Sequence, residues 1–139
     1  DIDLVIGMQA TSPIRKNGDI DNAIIQFKQE NLDSLFSSTM YDENNHWKKS
    51  EENNELQSCN YDYKNRSRRQ DADPKFLESG SFYIFKPEGI KKYNNRLFGK
   101  IGYYLMAKKT MFQIDEVEDI EICNAIMQFN ESSRKNNEK

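Results

Sequence analysis

Leu4-Val5-Ile6-Gly7-Met8-Gln9-Ala10-Thr11-Ser12-Pro13-Ile14-Arg15 is the stretch on which the reading of the fold turns. Its opening run, Leu4-Val5-Ile6, lacks the polar alternation of a half-exposed strand, so residues 3–8 read as a strand covered on both faces. Pro13 has no N–H for a sheet ladder and biases Ser12 away from helical dihedrals, so the strand ends by Thr11. Gln9, Thr11, Ser12 and Arg15 then crowd polar groups at the carboxyl end of an expected parallel strand, where open α/β sheets bind ligands. An amide and two hydroxyls both donate and accept hydrogen bonds, and a guanidinium forks onto carboxylate or phosphate. That set suits a polyhydroxylated anion. The same residues also describe a plain strand-to-helix turn with Thr11 or Ser12 as its cap.

Downstream, Ile20, Ala23, Ile24 and Phe27 recur at 3, 4 and 7, the spacing of a helix with one face on a sheet. The helix is expected from Asp19, its cap, to about Glu30. Leu35 to Met40 reads as a second strand, which makes a βαβ unit with a right-handed crossover. From Tyr41 to Asp73 the composition turns to Asn, Glu, Lys and Arg. Trp47–Glu51 and Glu55–Cys59 can pair as a hairpin turning at Asn53-Asn54, but it has little apolar surface of its own. A disordered insert is the competing reading. Ser81–Phe85 is β-rich and bounded by Gly80 and Pro87. Pro87 opens a short helix from Glu88 to about Tyr93, and Leu97 and Phe98 follow in a loop too polar to hide them. Gly102–Met106 reads as a strand and Phe112–Asp115 as extended. A last helix runs from Glu116 or Val117 to about Asn130, with Ile120, Cys123, Ile126, Met127 and Phe129 on its buried side. The apolar-free tail from Glu131 is expected to fray.

The totals set limits. A chain of 139 residues is one domain by length. Charged residues make up 31% and apolar ones 36%, and the mean hydropathy is -0.94. Twenty basic against 23 acidic side chains leave a net charge of -3, which gives no support for a nucleic-acid or membrane partner. No apolar run approaches the ~20 residues of a membrane span. Cys59 and Cys123 show no metal-ligand spacing, and two free thiols fit a cytoplasmic protein. His46, the lone histidine, reads as a surface residue with no nucleophile beside it. Arg66 to Arg69 is a small basic cluster offset by Asp62, Asp71 and Asp73, most simply a solvated run.

Four stretches in order resemble the CMP-sialic acid synthetases (acylneuraminate cytidylyltransferases). Met8-Gln9-Ala10-Thr11-Ser12-Pro13-Ile14-Arg15 resembles their L-Q-P-T-S-P-L-R. Arg68-Arg69-Gln70-Asp71, with Pro74 to Ile84, resembles R-R-Q-D…P-x-x-Y-x-x-N-G-A-I-Y-I. Leu97-Phe98-Gly99-Lys100 matches the apolar pair after the following helix, and Phe112 to Asp119 resembles S-x-D-I-D-T-x-x-D. The resemblance covers nearly the whole chain but only the carboxyl-terminal part of the family.

The resemblance implies an α/β, Rossmann-like nucleotidyltransferase (GT-A-like) three-layer fold with a mainly parallel sheet, incomplete on its amino-terminal side. Residues 1–40 and 81–130 would form the core, 41–80 a dimerisation and sugar-binding extension, and 131–139 a polar tail. The activity implied is transfer of CMP from CTP to a nine-carbon 2-keto sugar acid (sialic, legionaminic or pseudaminic), with release of pyrophosphate, by a homodimer. It places Gln9, Thr11, Ser12, Arg15, Arg68, Gln70, Ser79 and Gln113 on the substrate, and Leu97 and Phe98 around an acylamino group in the neighbouring subunit. Asp115 and Arg69 are the implied catalytic residues, with Asp115 holding Mg2+ or Mn2+. Two departures stand out. Ser79 replaces the usual Asn, and Gln113 replaces the first of two metal-binding Asp, so either metal binding weakens or Gln113 contacts the sugar and Asp115 alone holds the metal. Asp119 reads as a helix-start acid. No glycine-rich phosphate loop lies between a strand and a helix, so turnover by this chain alone is not expected. A non-catalytic sugar-binding or oligomerisation module, and an unrelated sugar-nucleotide enzyme, are the alternatives.

Overall fold

A computed structural model describes residues 2–41, 45–71 and 73–137, with backbone alone at Arg69 and from residue 132 onward. Residues 42–44 and 72 of the polar insert and 138–139 of the tail lie outside the described residues. The chain divides into two units, Asp1–Met40 with Phe76–Lys139, and Tyr41–Lys75.

In the first unit the elements are β1 (Val5–Met8), α1 (Asp19–Gln29), β2 (Ser34–Tyr41), β5 (Lys75–Phe85), β6 (Ile101–Met106) and α2 (Val117–Asn137); β2 and β5 run on one residue into the second unit. The sheet order is β1-β5-β2-β6. β1 pairs antiparallel with β5 in the register Val5↔Phe85 to Met8↔Phe82, and β2 pairs parallel with β6 from Ser34↔Ile101 to Thr39↔Met106. Lys86 N–H donates to the Asp33 carbonyl at one end, and Ser38 Oγ donates to the Leu77 carbonyl at the other, so β5 also runs against β2. The sheet is therefore mixed rather than mainly parallel. Three strands share one direction, and β5 is inserted antiparallel between β1 and β2. The expected βαβ neighbours are separated by that insertion, which comes from far along the sequence.

α1 forms where its apolar period placed it. Ala23 and Phe27 are buried with Leu32, Leu35, Phe82, Ile84 and Met106, and Ile20, Ile24, Leu4 and Tyr104 pack partly against them. Each fully buried large side chain contributes about 1.5–3 kcal/mol. Asp19 is not the cap, as the sequence suggested. Gly18 takes that position at φ 87°, and the Asp19 carboxylate reaches back to Lys16 N–H at 2.8 Å. The end of the sheet at which β2 and β6 begin is locked by Asp33. Its carboxylate accepts from Lys100 N–H at 2.9 Å and Lys86 Nζ at 2.7 Å, which holds its pKa below the usual aspartate value, the backbone bond being the larger cause.

Three further expectations change. The helix expected from Glu88 to Tyr93 is a single π-helical turn, Gly89–Tyr93, closed by Asn94 at φ 50°. Leu97 and Phe98 are half-buried rather than stranded in solvent, because Phe98 folds back on Tyr93 with ring centroids 5.5 Å apart. α2 does not stop near Asn130 but continues to Asn137. Among its described side chains Cys123 alone is fully buried, while Ile120 and Met127 stay 44% and 43% exposed and Phe129 68%.

The second unit is built on the hairpin β3 (Trp47–Lys49) and β4 (Leu56–Ser58), antiparallel with Trp47↔Ser58 and Lys49↔Leu56. Asn54 at φ 60° closes its turn. Trp47 supplies the apolar contact the sequence appeared to lack. It packs edge-on to Tyr61 at 6.0 Å and against Tyr63 at 5.2 Å, and its Nε1–H donates to Tyr61 Oη at 3.0 Å.

Candidate functional site

Gly80 fixes the geometry of the site. It lies inside β5 at φ 68°, a left-handed conformation that kinks the strand where its pairing with β1 stops. A Cβ placed there would overlap Gln9 Oε1 and lie 3.1 Å from Gln113 Nε2, so two carboxamides from distant segments meet above the kink. Behind it, Ser37 Oγ accepts from Ser79 Oγ at 2.9 Å and from Phe82 N–H at 3.0 Å. Both serines are fully buried, so these bonds satisfy polar groups that water cannot reach.

The residues after β1 do not cap a helix. The Gln9 carbonyl accepts from Ser12 N–H at 3.3 Å in a backbone turn, while Arg15 Nη1 donates to the Ser12 carbonyl at 2.9 Å and to Ser81 Oγ at 3.1 Å. Arg15 thus pins this turn onto β5. The Thr11 carbonyl accepts from Ile114 N–H at 2.8 Å, which brings the extended segment 112–115 alongside. Gln113 Nε2 donates to the Ser79 carbonyl at 2.9 Å. Gln9, Thr11, Ser12, Arg15, Ser79 and Gln113 therefore gather at the carboxyl ends of β1 and β2. Ser79 contributes its carbonyl there, since its hydroxyl is spent on Ser37. Ser12 Oγ is buried without a partner.

Asp115 is exposed two residues beyond Gln113. The neighbouring Asp119 is occupied. Its carboxylate accepts from Glu116 N–H at 2.8 Å and Asp115 N–H at 2.9 Å, capping the first turn of α2, and these bonds hold its pKa below the usual value. No group of three or more His, Cys, Asp or Glu suited to a metal occurs among the described residues. Gln113 offers an uncharged amide here, and Asp115 one exposed carboxylate. They do not supply a two-carboxylate set.

Of the remaining sequence-derived residues, Leu97 and Phe98 lie away from this cluster. Phe98 N–H and C=O bond Ser34 Oγ at 3.0 and 2.8 Å, so Leu97 and Phe98 sit at the opposite end of β2 from Gly80. Arg68, Arg69 and Gln70 belong to the second unit, where Arg69–Asp71 makes a 3-10 turn and Arg68 Nε lies 3.8 Å from the Asp71 carboxylate. His46 is exposed in that unit, its N–H bonded to Asn60 Oδ1 at 2.9 Å. Sequence reasoning missed Ser37 and Ser81, since nothing distinguishes a buried strand serine from an exposed one. It noticed Gly80 only as a strand boundary, although a glycine inside a β-rich run is the signal of a kink. Among the described residues no helix is long and apolar enough to cross a membrane.

No family model matches the chain. Five curated proteins match it, among them the following two. An N-acylneuraminate cytidylyltransferase of Oncorhynchus mykiss is 30% identical over 117 residues, covering 83% of this chain and 26% of that protein. N-acylneuraminate cytidylyltransferase A of Danio rerio is 31% identical over 117 residues, covering 83% and 27% respectively. The chain thus spans about a quarter of the length of the curated relatives it matches. Over most of its own length the chain is similar to N-acylneuraminate cytidylyltransferases, the proteins whose motifs its sequence resembles.

Proposed function

We propose that this chain forms the sugar-acid-facing part of a cytidylyltransferase that activates a nine-carbon 2-keto sugar acid with CTP. The observation that carries the reading is the meeting of Gln9 and Gln113 above Gly80, with the Thr11 carbonyl bonded to Ile114 N–H alongside, in a chain similar to named enzymes of that activity. Amides and hydroxyls suit a ligand dense in hydroxyl groups. Gln9, Thr11 and Gln113 face the sugar acid, and Ser12, Arg15 and Ser79 hold their frame.

Attack by a sugar hydroxyl on the α-phosphorus needs positioning and charge neutralisation more than covalent help from protein. Mg2+ or Mn2+ would supply the neutralisation, held by Asp115 and substrate oxygens. Arg68, Arg69 and Gln70 are proposed to serve the same substrate, Leu97 and Phe98 to line a partner's acylamino pocket, and the assembly to be a homodimer. The 139 residues hold no glycine-rich phosphate loop, so pyrophosphate release by this chain alone is expected to be absent.

Isothermal titration of the chain with N-acetylneuraminate, with glucose 1-phosphate as the competing class, tests the reading. Saturable binding of the sugar acid and none of the hexose phosphate is expected. The reverse would place the chain with another class of sugar-nucleotide enzyme, and no binding of either would overturn the proposal.

A further inference from the structure

Asn17-Gly18 is the only Asn-Gly pair in the chain, and every other asparagine is followed by a residue that carries a Cβ. The pair forms the turn between the segment that Arg15 pins to β5 and the start of α1. Asn17 is exposed, and its side chain has no hydrogen-bond or ion-pair partner among the described residues. Gly18 is left-handed at φ 87°, and no hydrogen bond from its N–H occurs among those residues. The space around it is open, since the nearest atom a Cβ would meet is Asn22 Nδ2, at 3.7 Å. An unengaged carboxamide thus stands beside an unengaged backbone nitrogen, with no side chain on the second residue to hinder their approach. Two hydrogen bonds close over the pair. Lys16 N–H donates to the Asp19 carboxylate at 2.8 Å, and Asp19 N–H donates to the Lys16 carbonyl at 3.3 Å.

We propose that Asn17 is a site of spontaneous deamidation, and that its isoaspartyl product loosens the junction between the Arg15 turn and α1. The Gly18 nitrogen gives its proton to hydroxide and attacks Asn17 Cγ. A new N–Cγ bond forms, the Cγ–Nδ2 bond breaks, and Nδ2 takes a proton from water and leaves as ammonia. The product is a succinimide ring. Water then opens it at either carbonyl, giving aspartate or isoaspartate at position 17. Hydroxide and water are the only co-reactants. Both products add one negative charge, which suits the positive end of α1. Isoaspartate also adds one carbon to the main chain, inside the loop that the two Lys16–Asp19 bonds close, so those bonds open. This chemistry is independent of the sugar-acid reading.

Peptide mass mapping of the full chain, aged at mildly alkaline pH and body temperature, tests the proposal. The mass gain of amide to carboxylate should appear first at Asn17, quicken with hydroxide, and come with isoaspartate as a product. The folded chain should convert at no less than about a tenth of its rate in urea, because tenfold in rate is about 1.4 kcal/mol of barrier and an exposed turn adds less than that. Asn17→Gln removes no bond to the protein and should abolish the gain at this position. The aged chain should unfold at lower urea than fresh chain. Asn17→Asp, with the charge but the ordinary backbone, should unfold at no lower urea than the parent. Earlier conversion at another asparagine, or a folded chain that resists where the unfolded one converts, would overturn the site. An aged, converted chain whose midpoint matches that of Asn17→Asp would overturn the loosening.

Discussion

Gly80 and Ser37 carry more of the site than their size suggests. Gly80→Ala forces a side chain into a left-handed backbone and onto Gln9, so it should cost roughly 1–3 kcal/mol from the dihedral strain alone, read by urea unfolding. Ser37→Ala leaves Phe82 N–H and Ser79 Oγ without their acceptor in a dry interior, a loss of about 1–3 kcal/mol by the same measurement. An unchanged unfolding midpoint in either variant would show that the kink holds itself. Tyr83 offers a third check. Burial, and then its hydroxyl's bond to Glu78, push its pKa up to about 12, with Arg96 stacked 3.6 Å from the ring centroid. Its folded-state stabilisation is complete below the ordinary tyrosine value of about 10 and is lost as pH rises toward the folded value. Ultraviolet titration should find one tyrosine ionising after the others. At this scale the stretch from Gln9 to Arg15 could be read from sequence, because proline and clustered polar groups leave a local signature. The bond from Gln113 to the Ser79 carbonyl spans 34 positions and leaves none.

Among the elements, α1 was legible and β5 was not. A 3.6-residue period is written locally, so the stripe Ala23 to Phe27 could be placed without knowing its partner. Strand order depends on pairing across the chain, and nothing in Ser81–Phe85 states that it enters between β1 and β2. Phe27→Ala should cost about 3–5 kcal/mol, because it empties the space between α1 and the sheet. The element ends also predict acid sensitivity. Asp33, held low by Lys100 N–H and Lys86, and Asp119, held low by Glu116 and Asp115 N–H, bind fewer protons folded than unfolded. Their contribution is present above the usual aspartate value near pH 4 and is lost as pH falls through the lower folded values. The urea midpoint should therefore drop on acidification below about pH 4, and Asp33→Asn should flatten that drop. A variant as acid-sensitive as the parent would remove Asp33 from the account.

For the molecule as a whole, a mixed α/β sheet emerges from a chain that is similar to about a quarter of each curated relative. The polar insert forms its own unit because Trp47, Tyr61 and Tyr63 pack together, which scattered aromatics in a charged stretch gave little reason to expect. The site itself rests on contacts between segments that composition keeps apart. A crystal structure of the chain grown with N-acetylneuraminate tests the central claim most directly. The account predicts the sugar acid seated over Gly80, with its hydroxyl or acylamino groups within hydrogen-bond distance of Gln9 and Gln113. A sugar acid bound elsewhere on the chain, with that position empty, would contradict it.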